Sequence, residues 1–374
     1  MRFTMPSTAL TPVLSSMAHV AGRANVVLPV LAGVLLEVKP DAVRITAYNL
    51  SHGLETTLAR PEGTEPFEAG ALVVGADVLY QLSRTVAGDV TLESNDDSVV
   101  LVSYPGGQMR LSVIAASDFP RPRFARTSFE IPAESLREGF ARVAYAVGQD
   151  DAHPVLSGVR LRVSEGRIDL LATDRSRVAY FGTAAEGLGE GSVVLDAPAL
   201  SLIARLCDAE TVRLGWDGHG LTALWKTTRL YSRVPDGNFP NLETALPENY
   251  AAKAKLDLSA FAAAVARVGL LADPSVTVAL GPEGLTIASH SALGAGREVV
   301  SAEVEGQARA GFGPTLLTAA LSHLKGSRLT LEMTDAESPM RLSVDDRGYA
   351  VVMPVVDEPV RSAPRPAEAV EAES

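Results

Sequence analysis

One cysteine, two tryptophans and six histidines are all that 374 residues offer of the side chains that most often carry chemistry. A lone Cys207 excludes an internal disulfide, and its place in an apolar helical pattern predicts a buried thiol in a reducing cytoplasm. The histidines are scattered with no pair at metal-ligand spacing, so neither a metal nor another cofactor is expected. Gly187, Gly189 and Gly191 lack the Lys-Ser/Thr of a phosphate-binding loop, which leaves a flexible hairpin. The acidic pairs Asp96-Asp97, Asp150-Asp151 and Asp345-Asp346 are chain neighbours in turn-like contexts, a poor start for a metal-dependent nuclease. No apolar run is long enough to span a membrane, and the first six residues lack the apolar core of a signal peptide. A cytoplasmic, non-enzymatic protein is the expectation.

Lysine is scarce too: five stand against 28 arginines, and the net charge is −12. Spread evenly, that charge would argue against nucleic acid as a partner. An acidic exterior with a basic inner surface would not, so placement decides.

What is present is repetition. Residues 29–38, PVLAGVLLEV, return as residues 154–163, PVLSGVRLRV, with seven of ten positions identical. Such a match at long period marks repeated units. Each of three units opens with a short strand and a helix. The apolar stripes are Leu10, Leu14 and Met17, then Leu136, Phe140, Val143 and Val147, then Phe261, Val265 and Val268. Ser7 or Thr8 would cap the first helix and Ser259 the third. Two closely spaced strands follow, then a second helix (residues 76–86, 197–206 and 314–324) and more strands. Strands this close cannot be parallel crossovers. The fold class is therefore α+β: three domains, each two helices on antiparallel sheet. The boundaries expected are 1–126, 127–249 and 250–356, with 357–374 a disordered acidic tail rich in Pro, Ala and Glu. Met109-Arg110-Leu111-Ser112-Val113 recurs at 340–344 but at a different distance from its unit's end, and is taken as chance.

Several motifs resemble one family along residues 1–356. They are Gly22-Arg23 with Leu28-Pro29-Val30-Leu31, Ser117-Asp118-Phe119-Pro120, Gln149-Asp150, Ala172-Thr173-Asp174-Arg175-Ser176-Arg177-Val178-Ala179, Asp236-Gly237-Asn238-Phe239-Pro240, and Val351-Val352-Met353-Pro354-Val355. In this order and spacing the chain resembles the bacterial DNA polymerase sliding clamps, the beta subunit of the replicative polymerase. The resemblance implies a head-to-tail homodimer closing a six-domain ring around double-stranded DNA, lined by twelve helices and indifferent to base sequence. Residues 269–273 and the strand at 99–104 are the expected ring interface.

On the helices, Arg142 and Arg267 stand at equivalent positions six residues after a stripe residue, and Arg84 and Arg205 five after one. A lone arginine is ordinary on any solvated helix face; equivalent placement in separate units favours a DNA-lining role. Lys325 lies nearby in the third unit, while Arg23 and Gln149 match family positions that contact DNA. The lining is thin for the family: Ser16 holds the position equivalent to Arg142 and Arg267, and Ala197-Pro198 replaces a basic pair.

The resemblance also implies a pocket for short peptides from the replicative polymerase, the clamp loader, and repair and other polymerases. Its matching residues are Leu156, Thr173, Arg175, Arg177, Val178, Pro240, Val351, Met353, Pro354 and Val355. Without the resemblance, residues 351–355 would read as a plain buried strand. Val178 is smaller than the usual leucine, Thr244 and Ala245 depart from the family pattern, and the acidic tail begins beside the pocket. These departures motivate the alternative of a divergent accessory clamp, for example an inhibitor-tolerant copy.

Overall fold

The computed structural model describes all residues except 23–27, 96–97, 151, 165, 186–188, 243–245, 248 and 356–374. The chain forms two compact units, Met1–Ala172 with Phe181–Phe239, and Thr173–Tyr180 with Pro240–Ser374. Among the described residues six α-helices alternate with strands: α1 (Ser7–Val20), α2 (Ala76–Thr85), α3 (Ala133–Val143), α4 (Ala197–Leu206), α5 (Leu258–Val268) and α6 (Pro314–His323). They pack as the consecutive pairs α1 with α2, α3 with α4 and α5 with α6. One pair per repeat gives three domains, two of them in the first unit.

The first unit holds a twelve-stranded antiparallel sheet, from Arg2–Pro6 at one edge to Phe129–Pro132 at the other. Its two repeats are welded where His52–Ala59 pairs with Thr228–Ser232, with Leu54 opposite Leu230. Two polar pairs adjoin it on opposite faces of the sheet. Thr56 and Thr228 share a hydroxyl hydrogen bond of 3.0 Å, and Arg229 Nε donates to Glu55 Oε1 at 3.0 Å. In the second unit Gly348–Val352, Met340–Ser343, Arg328–Met333, Ala252–Asp257 and Ala302–Gly306 lie side by side. A separate four-stranded sheet runs Gly294–Val300, Gly284–Ser291, Val276–Gly281, Ala308–Phe312.

The expected stripes form the core. Leu10, Leu14 and Met17 are buried under α1, as are Phe261, Val265 and Val268 under α5. Full burial of each such side chain contributes about 1.5–3 kcal/mol. The α3 stripe differs: Gly139 is buried and Phe140 only half so. A Cβ on Gly139 would lie 2.8 Å from Leu170 Cδ1 and 2.9 Å from Phe181 Cδ1, so glycine lets this helix sit close on its sheet. The family-like motif at 117–120 is packing as well, since Phe119 closes a cluster with Val30, Leu31, Leu35 and Val73.

The caps differ from expectation. Ser7 is the first helical residue of α1, buried, with its N–H bonded to Gly88 O, and no side chain caps that helix. At α5 the cap is Asp257, whose Oδ1 accepts from Ala260 N at 2.8 Å; Ser259 donates its hydroxyl to the same oxygen. The carboxylate wins because it satisfies two donors and faces the positive end of the helix. These hydrogen bonds, the one from Ser259 foremost, hold the Asp257 carboxyl below the usual range. Met109 and Met340 stand in non-equivalent strands, the third and the second after their domain's second helix.

Candidate nucleic-acid and partner surfaces

The helices are nearly free of acid. Of 45 acidic residues in the chain, they hold only Asp77, Glu134 and Glu138. They also hold Arg84, Arg137, Arg142, Arg205 and Arg267, a net charge of +2 in a chain of −12. Every helix has a basic residue in its last turn: His19, Arg84, Arg142, Arg205, Arg267 and His323. The helix dipole favours cations there. It favours acids at the first turns by the same amount, yet α1 and α6 have none there, and α4 and α5 have theirs only ahead of the helix, at the caps Asp196 and Asp257. The dipole therefore accounts for the cations but not for the missing acids.

The expected lining residues are not alike. Arg205 and Lys325 are exposed, and so is Gln149. Arg84 is exposed and rests on its own helix, Nη1 donating to Gln81 Oε1 at 3.2 Å. Arg267 is exposed but ion-paired with Glu298 of Gly294–Val300, Nε to Oε2 at 3.1 Å. That pairing raises the arginine's pKa and lowers the glutamate's. Arg142 is drawn inward. Its side chain is 10 % exposed, bonded to Glu138 at 2.9 Å, with the guanidinium 5.3 Å from the Phe181 ring centroid. Six helical residues turn a side chain only about 240° from Leu136, and an acid four residues back captures the arginine there. Arg23 lies outside the described residues.

Most of the pocket residues fall in the second unit, on two segments. In the turn at 173–178, Asp174 Oδ1 accepts from the N–H groups of Ser176 and Arg177, each at 3.0 Å. Its Oδ2 takes Arg177 Nε at 2.8 Å. Thr173 Oγ1 accepts from Arg175 N at 3.1 Å and donates to Arg177 O at 2.7 Å. Arg175, at the tip, has φ +76° and is exposed. The second segment, 351–355, joins the turn through Met353 N to Ser176 O at 2.9 Å. Val351 is buried, Met353 is 37 % exposed, and Val355 N donates to Gly311 O at 2.9 Å. Tyr180 and Tyr349 stack alongside, centroids 4.7 Å apart. Thr173 and Val178 are buried, Pro354 half-buried. Half-buried Pro240 opens the unit's main segment. Leu156 belongs to the first unit, buried in the 3-10 turn Pro154–Ser157. Thr244, Ala245 and the tail lie outside the described residues.

One half of the expected ring interface needs correction. Val99–Tyr104 has no open edge, for Asp89–Glu93 pairs on one side and Gly107–Ala115 on the other. The open edge is the next strand. Among the described residues it meets a further neighbour only at 113–115, which leaves residues 107–112 free along one side. In the second unit Gly294–Val300 is the last strand of its sheet. Exposed apolar side chains lie on or beside it: Leu293 at 88 %, Val299 at 53 %, and Leu270 at 81 % on the 3-10 turn Gly269–Leu271, which packs against this strand.

Among the described residues no group of His, Cys, Asp and Glu could hold a metal ion. What these elements offer is binding: cationic helices, a turn beside exposed methionine, and strand edges that meet no neighbour among the described residues. Three domains, each with two helices packed on antiparallel sheet, define a clamp fold.

Family models agree for each domain. Those for the DNA polymerase III beta subunit N-terminal, central and C-terminal domains match residues 1–122, 130–241 and 243–356. A beta sliding clamp of Synechococcus elongatus is 29 % identical over 335 residues, covering 84 % of this chain and 88 % of its own. That of Streptomyces coelicolor is 27 % identical over 350 residues, 87 % and 92 % of the two chains. The DNA polymerase III beta subunit of Pseudomonas aeruginosa superposes with TM-score 0.87 at 24 % identity, over 95 % of this chain and 100 % of that one. The sliding clamp of Bacillus subtilis gives TM-score 0.88 at 21 %, over 96 % and 99 %. The chain belongs to the DNA polymerase III beta subunit family, the beta sliding clamps, which are non-catalytic processivity factors.

Proposed function

We propose that two copies of this chain close head to tail around duplex DNA and tether the replicative polymerase to it. The near-absence of acid from the helices carries this reading. A surface that slides on phosphates must attract them without reading bases, and carboxylates would repel them. Arg84, Arg205, Arg267, Lys325 and Gln149 are the residues offered to phosphate, with Arg23 joining them by resemblance. Arg142, neutralised by Glu138, offers little to DNA. A ring already closed is held by topology, so a thin lining suffices for retention.

Closure is supported by the two open strand edges, residues 107–112 and Gly294–Val300, and by the exposed Leu270 and Leu293. Head-to-tail contacts between unlike surfaces give rings when the rotation closes. The segments 173–178 and 351–355, with Pro240, would receive short peptides of the polymerase, the clamp loader, and repair and other polymerases. Met353 suits a surface shared by several partners, since methionine repacks readily. The test is primer extension on a singly primed circular template with a clamp loader and replicative polymerase. Long products that depend on this protein are expected; product lengths unchanged by it, where a control clamp extends them, would refute the reading.

A further inference from the structure

The strand leading into the second helix is flanked differently in the first and third domains. In the first, Gly70–Gly75 pairs with Gly33–Lys39 on one side. The chain leaving the domain's last strand closes the other side, where Leu72, Val73 and Val74 face Ala115, Ile114 and Val113. That chain then turns through Ala116–Asp118 and sets Phe119 on Leu35 and Val73. In the third domain Ala308–Phe312 pairs with Val276–Gly281, and among the described residues no strand takes its other side. Counted back from α2 and α6, Gly311 holds the place of Val73, and its neighbour Thr277 the place of Leu35.

The third domain begins the same closure. Val355, leaving the last strand Gly348–Val352, donates its N–H to Gly311 O at 2.9 Å, so it stands against Gly311 as Ile114 stands against Val73. An antiparallel continuation puts residue 356 opposite Ala310 and residue 357 opposite Arg309. Since Gly311 turns its carbonyl outward, Arg309 turns its backbone N–H and C=O the same way, while Ala310 and Phe312 bond inward. A hollow of about 360 Å³ lies beside this edge, lined by Thr277, Arg309, Gly311, Ala336, Glu337 and Val355. It covers the counterparts of the two residues that Phe119 covers in the first domain. Arg309 is exposed and has no ion-pair partner among the described residues.

Residues 356–374 follow Val355 and so start at the mouth of the hollow. They begin Val356-Asp357-Glu358-Pro359-Val360. Position 357 supplies an acid opposite Arg309, and Pro359, which has no N–H, ends the pairing. Val360 comes five residues after Val355, as Phe119 comes five after Ile114. Arg309 and Glu337 both line the hollow, so net charge does not choose the occupant; the unpaired edge and the tether do. We propose that the hollow is an internal docking site for residues 356–360 of the same chain. They complete the edge of Ala308–Phe312, with Asp357 beside Arg309 and Val360 over Thr277. A tethered segment meets its seat at an effective concentration on the order of millimolar, which closes this edge to other extended chains.

Residue-resolved amide hydrogen exchange on the full chain and on a form ending at Val356 tests this. In the full chain the Arg309 N–H is expected to exchange roughly tenfold more slowly than in the shortened form. Ala310 and Phe312 should exchange alike in both, which reports that the sheet stays folded. Arg309→Glu should lower protection at position 357 roughly two- to fivefold, the range of an exposed ion pair, and adding Asp357→Arg should restore it. Equal exchange at Arg309 with and without residues 357–374 would overturn the docking site. Protection that depends on those residues but ignores both charge substitutions would overturn the register that sets Asp357 beside Arg309.

Discussion

Replacing Arg205 by serine should flatten the salt dependence of DNA binding by an amount the structure sets. Among the expected lining cations, Arg267 and Arg142 are bonded to Glu298 and Glu138. Arg84, Arg205 and Lys325 are exposed and have no ion-pair partner among the described residues. In a two-protomer ring these three make about six free cations, which contribute about −5 to the slope of log K against log salt. Raising salt fourfold would then weaken binding about 10³-fold. Arg205→Ser removes one cation from each protomer, lowers the slope by up to about 1.8, and leaves a loss of about 10². Adding Arg84→Ser should leave a loss of about tenfold. The assay is fluorescence anisotropy of the unloaded protein on a short duplex between 50 and 200 mM salt. A slope indifferent to both substitutions would refute the assignment of these helices to DNA.

Other consequences follow from particular contacts. Leu270→Asp should leave the fold intact, because an exposed substitution moves stability by about 0.5 kcal/mol or less, yet shift the dimer toward monomer by light scattering. Gly139→Val should cost about 2 kcal/mol, since the clash with buried Leu170 and Phe181 outweighs the helix propensity gained over glycine, and denaturant unfolding reads it directly. Arg175→Gly should stabilise by about 1 kcal/mol through relief of its left-handed backbone, in the same assay. Asp257→Ala should lower the Tm by a few degrees through loss of the α5 cap. Because the Asp257 carboxyl is held low in the fold, its contribution is present above the ordinary carboxylate pKa and lost as pH falls through the folded one. The two proteins should therefore converge in stability in acid.

Periodicity carried the architecture because each helix needs only one apolar stripe, and those of α1 and α5 were plain. Gly139 broke the α3 pattern: a glycine scores as no stripe residue, while its burial comes from a sheet that approaches it from far along the chain. Cap identity failed for a related reason. Ser7, Thr8 and Ser259 have the right chemistry, but the strand before each helix decides which residue turns the corner. Arg142 shows the limit of spacing arguments, since helical angle gives a direction and not the acid waiting there. The open edge at 107–112 was one strand away from the expected one, because sheet order is a long-range property. The scarcity of acid in the helices was legible without coordinates; counting charge by element rather than by chain would have found it. The left-handed Arg175 was not legible, for its motif gives identity and only the backbone gives strain.

The central claim is topological linkage, and retention on nicked circular DNA tests it most directly. The protein is loaded by a clamp loader, washed at high salt, and measured before and after the circle is linearised. Protein that survives salt on the circle and leaves once ends exist is a closed ring, because phosphate contacts weaken with salt on both forms. Loss from the intact circle under conditions where a control clamp is retained would contradict the account.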